Sequence, residues 1–203
     1  MYLFLLKVLS ICKISFIIGS QALFFTLTQL AIPVIGFSTD ISTSFALFLV
    51  RSLVMGISSG QDIYMALVYH IPTFCGALAI TRHFFLIRLI IPLSAVVIFI
   101  SNPIGGQAWL YSTLWLIPCV ITISSPNSFF LRALASTFTS HAVGSVIWLY
   151  TYHLTAQEWL TLMPITIIER CIYALGIALC MHAITFIKNY HMRLSPLSES
   201  TLC

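Results

Sequence analysis

Glu169 and Arg170 are the two adjacent residues of this sequence that could most readily do chemistry. They follow Pro164 in a long apolar stretch and precede another apolar run, from Cys171 to Ile187. Ionisable side chains in such a setting are expensive to desolvate, so they pair within the protein or face a water-filled cavity. Neighbouring residues of a helix point about 100° apart, which predicts a different partner on another helix for each. The pair is therefore either a ligand-binding site, or an interfacial anchor or structural ion pair.

His141 is the second candidate, because it lies near the middle of the apolar segment 128–151. Its neighbours from Thr137 to Ser145 are mostly small or hydroxylated. Small residues let helices approach closely, and Ser, Thr and His side chains form hydrogen bonds between helices. We therefore expect His141 to face protein, where it either binds a substrate or holds two helices together. Its nearest acidic candidate by depth is Glu169.

Aromatic residues gather at the ends of apolar segments in the second half of the chain. Trp and Tyr are enriched at membrane interfaces, so a belt of anchors is one interpretation. An aromatic rim on one face also suits a pocket for a flat, ring-containing ligand, which is the other interpretation. The residues concerned are Trp109, Tyr111, Trp115, Trp148, Tyr150, Tyr152, His153 and Trp159.

Motifs for covalent or metal chemistry are weak. Residues 56–60 match G-x-S-x-G, but a nucleophile elbow needs a strand–turn–helix context, which the apolar pattern does not predict. An intramembrane serine hydrolase that pairs Ser58 with His141 is therefore only an alternative. The six cysteines form no CxxC, and the sequence contains no H-E-x-x-H and no P-loop. We expect no enzyme activity, no metal and no cofactor, and any energy for transport must come from partner proteins.

The composition of the chain predicts which kind of secondary structure positions these residues. The 203 residues are 60% hydrophobic and only 7% charged, and the mean hydropathy is +1.04. A soluble domain carries roughly 25% charged residues, so lipid must solvate most of this exterior. A spanning helix needs about 20 apolar residues. These values predict an all-α, polytopic integral membrane helix bundle that forms a single transmembrane domain over residues 1–203.

The number of spans depends on residues 41–57, the shortest of seven apolar segments. Arg51 lies in the middle of this segment, and a charge at the bilayer centre costs about 2.5–3.5 kcal/mol on insertion scales. We expect the segment not to cross, which makes residues 38–61 a lid or a re-entrant piece. The seven segments are about 14–37, 41–57, 62–81, 84–101, 106–125, 128–151 and 160–187.

The charges favour six spans with both termini in the cytoplasm, because every basic cluster then lies inside. Seven spans, with Arg51 paired inside the bundle, remain the alternative. In the six-span arrangement the outer side receives Asp40, Arg51, Asp62 and Glu158. The inner side receives Lys7, Lys13, Arg82, Arg88, Arg132, Lys188 and Arg193.

This architecture resembles the substrate-binding S components of energy-coupling-factor vitamin transporters. In that family a small-residue motif on the first span meets the coupling protein, and Ser15, Gly19 and Ala22 stand at the corresponding place. A long first loop lids an outward-facing pocket, as residues 38–61 would. The resemblance implies capture of a vitamin-like molecule outside, followed by inward release when a coupling protein and two ATPases act.

The sequence thus predicts a substrate-binding subunit for vitamin uptake, in a bacterial cytoplasmic (inner) membrane. Its expected partners are a small-molecule ligand, membrane lipid, a coupling protein and ATPases, but not nucleic acid. An assembly or scaffold subunit without transport activity is the alternative. The expected substrate-binding residues are Asp40, Arg51, Trp109, Tyr111, His141, Tyr150, Trp159, Glu169 and Arg170.

Overall fold

A computed structural model describes residues 13–14, 25–26, 28–60, 62–81, 86–124 and 127–199. These residues are almost entirely helical, which confirms the all-α class; the exception is a two-residue antiparallel pair, β1 and β2. The elements, in chain order, are β1 (Lys13–Ile14), β2 (Phe25–Thr26), α1 (Thr28–Ser38), α2 (Ile41–Ser59), α3 (Ile63–Ile80), α4 (Ile87–Ser101), α5 (Pro103–Gln107), α6 (Trp109–Ser112), a 3-10 turn (Thr113–Trp115), α7 (Leu116–Ile123), α8 (Phe129–Thr151), α9 (Ala156–Thr161) and α10 (Met163–Glu199).

Local signals in the sequence place the helix ends. Asp40 caps α2 by accepting a hydrogen bond from the backbone N–H of Thr43, and Asp62 caps α3 through the N–H of Tyr64. Gly60 ends α2 with a φ of 64°, a left-handed conformation that a residue with a Cβ adopts only with strain. Gly60 therefore marks the end of a helix of 19 residues, and Asp62 marks the start of the next helix, of 18 residues.

Helix α8 is the centre of the bundle and packs against α3, α4, α7 and α10. Two contacts show that α8 runs antiparallel to α3. The Ser136 hydroxyl donates to the Gly76 carbonyl at 2.6 Å, and Gly144, later in α8, lies beside Pro72, earlier in α3. Gly76 fits this contact closely, since a Cβ there would lie 3.1 Å from the Ser140 Cβ and would require a small shift of that neighbour. Small residues at this interface let the two backbones approach closely.

One end of the bundle is marked by two buried arginines, and we call it the arginine end. Arg132 Nη2 donates to the Ile80 carbonyl at 2.6 Å, and Arg88 Nη2 donates to the Thr81 carbonyl at 3.1 Å. The last carbonyls of a helix lack intrahelical donors and carry partial negative charge. Both guanidinium groups therefore satisfy the C-terminal end of α3.

Helix α2 runs the length of α3 in the antiparallel direction. Phe45 and Phe48 pack on Phe74, with ring centroids 5.7 and 5.0 Å apart. Asp40 therefore lies at the arginine end and Asp62 at the opposite end, whereas the sequence interpretation placed both on one side. The physical reason is that α2 is one continuous, capped helix, which carries the chain from one end of the bundle to the other.

Helix α10 also runs antiparallel to α8. The Thr137 hydroxyl donates to the Arg170 carbonyl at 3.5 Å, while Phe129 lies against His182 with ring centroids 4.6 Å apart. Its residues from 163 to 190 form the one helix of the described residues that is long and apolar enough to span a membrane, with a mean hydropathy of 1.7. Shorter apolar helices cover Ile41–Val54, Tyr64–Ile80, Ile87–Ser101 and Trp109–Ile123.

Candidate functional site

A cluster of aromatic rings fills the bundle at the end away from the arginines. Phe99 contacts Trp115 and Trp159 edge to face, with ring centroids 5.0 and 5.3 Å apart, and Tyr111 lies 5.0 Å from Trp159. Gly105 makes this packing possible, because a Cβ there would lie 1.9 Å from the Phe99 carbonyl oxygen. The cluster joins α4, α6, the 3-10 turn and α9, and it forms a wall beside α8 and α10.

A cavity of about 220 Å³ adjoins this wall. It extends from the centre of the bundle toward the end opposite the arginines, between α3, α6, α8, α9 and α10. Four aromatic side chains from four different helices line it, namely Tyr69, Tyr111, Trp148 and Trp159. The other lining residues are Pro72, Thr73, Ser140, His141, Gly144, Ser145, Leu162, Ile165, Thr166 and Arg170.

His141 is at the centre of the polar groups in this cavity. Its Nε2 lies 2.8 Å from the Tyr111 hydroxyl and 3.3 Å from the Ser145 hydroxyl. The Tyr111 hydroxyl also lies 3.3 Å from the Thr166 hydroxyl. The two hydrogen bonds of the Tyr111 hydroxyl join α6 to α8 and to α10. His141 therefore forms the interhelical hydrogen bond that the sequence predicts. The partner of His141 in this bond is Tyr111 and not Glu169.

Glu169 and Arg170 are both buried, at 5% and 3% exposure. Arg170 Nη2 lies 3.1 Å from Glu169 Oε2, so the expectation that the two side chains do not meet is wrong. Adjacent residues of a helix point about 100° apart, but both side chains are long enough for their charged ends to meet. The Arg170 guanidinium also lies 5.0 Å from the Tyr173 ring centre. Arg170 lines the cavity, and its charge is balanced by Glu169.

Helix α9 places Trp159 against the cavity. Thr155 and Glu158 form a capping box, in which the Thr155 hydroxyl accepts from the Glu158 N–H and the Glu158 carboxylate accepts from the Thr155 N–H at 2.7 Å. The hydrogen bonds from the Thr155 backbone and hydroxyl lower the pKa of Glu158 below its ordinary value. Trp159, the next residue, is 1% exposed, and its Nε1 has no hydrogen-bond partner among the described residues.

Four of the nine residues predicted for substrate binding line this cavity: Tyr111, His141, Trp159 and Arg170. Trp109 and Tyr150 point away from it and are 59% and 60% exposed. Glu169 does not line the cavity, but its carboxylate pairs with Arg170, which does.

Asp40 and Arg51 lie elsewhere. Asp40 caps α2 at the arginine end, where the hydroxyls of Ser42 and Thr43 lower the pKa of its exposed carboxylate. Arg51 lines a separate small cavity of about 20 Å³ together with His70. No described residue of the segment 38–60 lines the main cavity, so α2 does not cover it as a lid in this structure.

Sequence reasoning missed Tyr69, Thr73 and Thr166 as cavity residues. A usable signal existed for Thr166, which stands three positions before Glu169 and so near it on one helix face. Tyr69 likewise stands three positions before Pro72. Their approach to His141 follows from helix rotation and register, which one sequence does not reveal.

The remaining sequence motifs do not add to this site. Ser15, Gly19 and Ala22, the predicted partner-binding residues, lie outside the described residues. Ser58 belongs to the continuous helix α2 and not to a strand–turn–helix elbow. In the described ranges, no group of three or more His, Cys, Asp or Glu side chains is placed to hold a metal ion.

Comparison with known proteins does not assign a family to this chain. No protein-family model, no curated protein and no solved structure matches it. The function must therefore be argued from the cavity and from the elements that surround it.

Proposed function

We propose that this chain is a polytopic membrane protein that binds a small, ring-containing molecule at its outer face for uptake. The observation that carries the proposal is the cavity of about 220 Å³ between α3, α8, α9 and α10. Its walls are mainly aromatic and apolar, with a few polar groups that converge from different helices. This combination is typical of sites for small organic molecules.

The membrane environment is supported by the apolar surfaces of several helices besides α10. Large hydrophobic side chains are widely exposed, for example Ile57 of α2 at 76%, Val97 of α4 at 60% and Val120 of α7 at 62%. Large apolar side chains exposed in this number are unfavourable in water and favourable in lipid. We propose that α2, α3, α4, the α5–α7 segment, α8 and α10 each cross the membrane, with the arginine end in the cytoplasm.

Transport by this chain would depend on other proteins. The sequence contains no nucleotide-binding loop, so we propose a coupling protein with ATPases as the energy source, as in the vitamin transporters that the sequence resembles. The small-residue motif of Ser15, Gly19 and Ala22 is the proposed contact with that coupling protein. A bacterial cytoplasmic membrane is the proposed location.

The direct test is purification in mild detergent followed by mass spectrometry of the small molecules that remain bound. We expect one compound to co-purify with the wild-type protein and to be lost from His141→Ala, which removes the hydrogen bond to Tyr111. Ser101→Ala is the control, because Ser101 is exposed and its hydroxyl donates to the Val97 carbonyl of its own helix. Equal retention by both variants would show that this cavity is not the binding site.

A second candidate function, an assembly subunit without a ligand, has one observation in its favour. His141, Glu169 and Arg170 all form contacts inside the protein, as such a role would require. The same purification separates the two functions. A protein that carries a membrane partner but no small molecule, alone or after incubation with metabolite extract, would favour the assembly role.

A further inference from the structure

Gly144 lies in the interior of α8 and lines the main cavity, and the inference drawn from it rests on the proposed function. Glycine destabilises a helix interior relative to alanine, so another constraint must favour it there. At Gly36 and Gly105 that constraint is packing, because a Cβ would lie 2.8 and 1.9 Å from a backbone carbonyl oxygen. At Gly144 a Cβ would meet only Pro72 among the described residues, at an ordinary distance of 3.7 Å. Packing within the described part of the protein therefore does not require this glycine.

The residues around Gly144 indicate what the missing side chain makes room for. His141 stands one turn before Gly144 and Trp148 one turn after it, so all three lie on one face of α8. Pro72 of α3 lies opposite Gly144, and Tyr69 stands about one turn before Pro72. Glycine lets a ligand approach the helix backbone, where any side chain would occupy part of the cavity. The rings of Tyr69 and Trp148 suit a flat ligand, because offset and edge-to-face ring contacts are favourable.

His141 offers a polar contact beside this space. Its Nε2 already interacts with the hydroxyls of Tyr111 and Ser145, at 2.8 and 3.3 Å. Its Nδ1 has no hydrogen-bond partner among the described residues, and unlike Nε1 of Trp115 and of Trp159 it is not enclosed by protein. Because His141 lies inside the bundle and is only partly buried, its accessible surface faces the cavity. Nδ1 is therefore open to a ligand.

The charges around the cavity favour a neutral ligand. Arg170 is the one charged side chain among the described lining residues, and Glu169 balances it from 3.1 Å. A net charge on the ligand would stay uncompensated in a buried, mainly apolar site, which is costly. A primary carboxamide is neutral and offers both a donor and an acceptor. It can therefore bond to Nδ1 of His141 in either neutral tautomer of the imidazole.

We infer that Gly144 is the position that determines the specificity of the cavity. The flat ring of a neutral compound lies against the α8 backbone at Gly144, beside Trp148, and one neutral polar group of the compound, such as a primary carboxamide, bonds to His141 Nδ1. The cavity volume of about 220 Å³ limits the compound to one or two rings, because sites for drug-sized ligands measure roughly 300–1,000 Å³.

Four probes test the shape and charge of the ligand. Benzamide and 2-naphthamide are flat carboxamides, cyclohexanecarboxamide carries the same polar group on a puckered ring, and benzoate replaces it with a charge. Binding to the purified protein is measured by calorimetric titration and by the shift in unfolding temperature. We expect one of the flat carboxamides to bind about threefold to tenfold more tightly than cyclohexanecarboxamide, because only a flat ring makes the aromatic contacts. Benzoate should bind at least about tenfold more weakly than benzamide.

Gly144→Ala adds one methyl group to the space that the ring would occupy. We expect it to weaken binding of the flat carboxamide about tenfold or more, because overpacking a close-fitting site is costly. Without a probe, its unfolding temperature should equal or exceed that of the wild-type protein, because alanine favours a helix. Val143→Ile is the control, because it adds one methylene group to the same helix at a position that does not line the cavity. Its affinity for the probe should stay within about twofold of the wild-type value.

His141→Gln tests the polar contact. The glutamine amide can reach the position of Nε2 beside Tyr111, but it places no polar atom where Nδ1 stands. We expect this variant to bind the flat carboxamide about fivefold to tenfold more weakly, the range for loss of one hydrogen bond. His153→Gln is the matched control, because His153 is exposed and does not line the cavity.

The inference is overturned when neither flat carboxamide binds, or when cyclohexanecarboxamide or benzoate binds as tightly as they do. It is also overturned when Gly144→Ala keeps the wild-type affinity, or when it loses stability together with affinity, since the glycine would then serve packing. Equal effects of His141→Gln and His153→Gln would remove the assigned polar contact. Each of these results leaves the proposed function standing as long as a small molecule co-purifies with the protein. The proposed function fails on a different result, in which no small molecule co-purifies and no probe binds.

Discussion

At the scale of single residues, the polar interior of this protein is organised by Tyr111. The tyrosine is 1% exposed, and its hydroxyl contacts His141 on one helix and Thr166 on another. Buried polar groups stabilise a fold only when they are satisfied, and they destabilise it when one partner is removed. Tyr111 thus has a structural role that is separable from its place in the cavity wall.

Replacement of Tyr111 with Phe tests that role. The variant keeps the ring contacts and leaves His141 and Thr166 without the hydroxyl, so we expect the free energy of unfolding to fall by about 1–3 kcal/mol. The measurement is denaturant unfolding of the purified protein in detergent micelles. Tyr150→Phe is the control, because Tyr150 is 60% exposed, and its effect should stay within about 0.5 kcal/mol. Equal stability of the two variants would contradict the assigned network.

At the scale of secondary-structure elements, α9 shows how local sequence positions a cavity residue. The helix has only six residues, and the capping box of Thr155 and Glu158 satisfies its first N–H groups. Trp159 belongs to this short helix and packs into the aromatic cluster. The ionised carboxylate of Glu158 accepts the stabilising bonds, so α9 should respond to pH.

The sign of this pH response follows from the lowered pKa of Glu158. Its contribution to stability is fully present above the ordinary value of 4.5 and is lost as the pH falls through the lower pKa of the folded protein. We therefore expect Glu158→Gln to remove part of the stability loss of the wild-type protein below pH 4.5, measured by unfolding temperature against pH.

Gln157→Ala provides the comparison for Glu158→Gln. Gln157 is an exposed neighbour on the same helix and takes no part in the capping box. This variant should keep the pH dependence of the wild-type protein between pH 3 and 6, a range chosen around the ordinary pKa of Glu158. An identical pH profile for wild-type protein and Glu158→Gln would show that the cap does not contribute.

At the scale of the whole molecule, the two ends of the bundle differ in charge. Arg88 and Arg132 lie at one end, and Lys188 follows on the part of α10 that runs toward the same end. Glu158 lies at the other end. Under the positive-inside rule, this asymmetry supports the proposed orientation, in which the cavity faces the outside. In that orientation the full-length path of α2 would place residues 40–43 on the cytoplasmic side.

Single cysteines report that orientation in intact cells, in a protein whose six native cysteines are replaced by alanine. We expect a membrane-impermeant thiol reagent to label Gln157→Cys from outside, and to label Ser42→Cys and Asn189→Cys only after the cells are opened. All three positions are exposed, so access depends on the side of the membrane. External labelling of Ser42→Cys would mean that α2 does not cross.

The sequence by itself determined the all-α class and predicted that Glu169, Arg170 and His141 face the inside of the protein, where all three form contacts. These properties depend on composition and on residues close together in the chain, which a single sequence displays. Apolar segments must bury or exclude their few polar groups whatever their neighbours are. Predicting these properties needs no knowledge of which helix packs against which.

Only the tertiary structure decided the path of α2, the pairing of Arg170 with Glu169 and the placement of Trp109 and Tyr150 away from the cavity. Each depends on the rotation and register of one helix against another, and a rotation of about 100° moves a side chain from the interior to the surface. The packing of α8 against α3 and α10 fixes those angles. The same packing brings Tyr69, Tyr111, His141 and Thr166, from four separate helices, around one cavity.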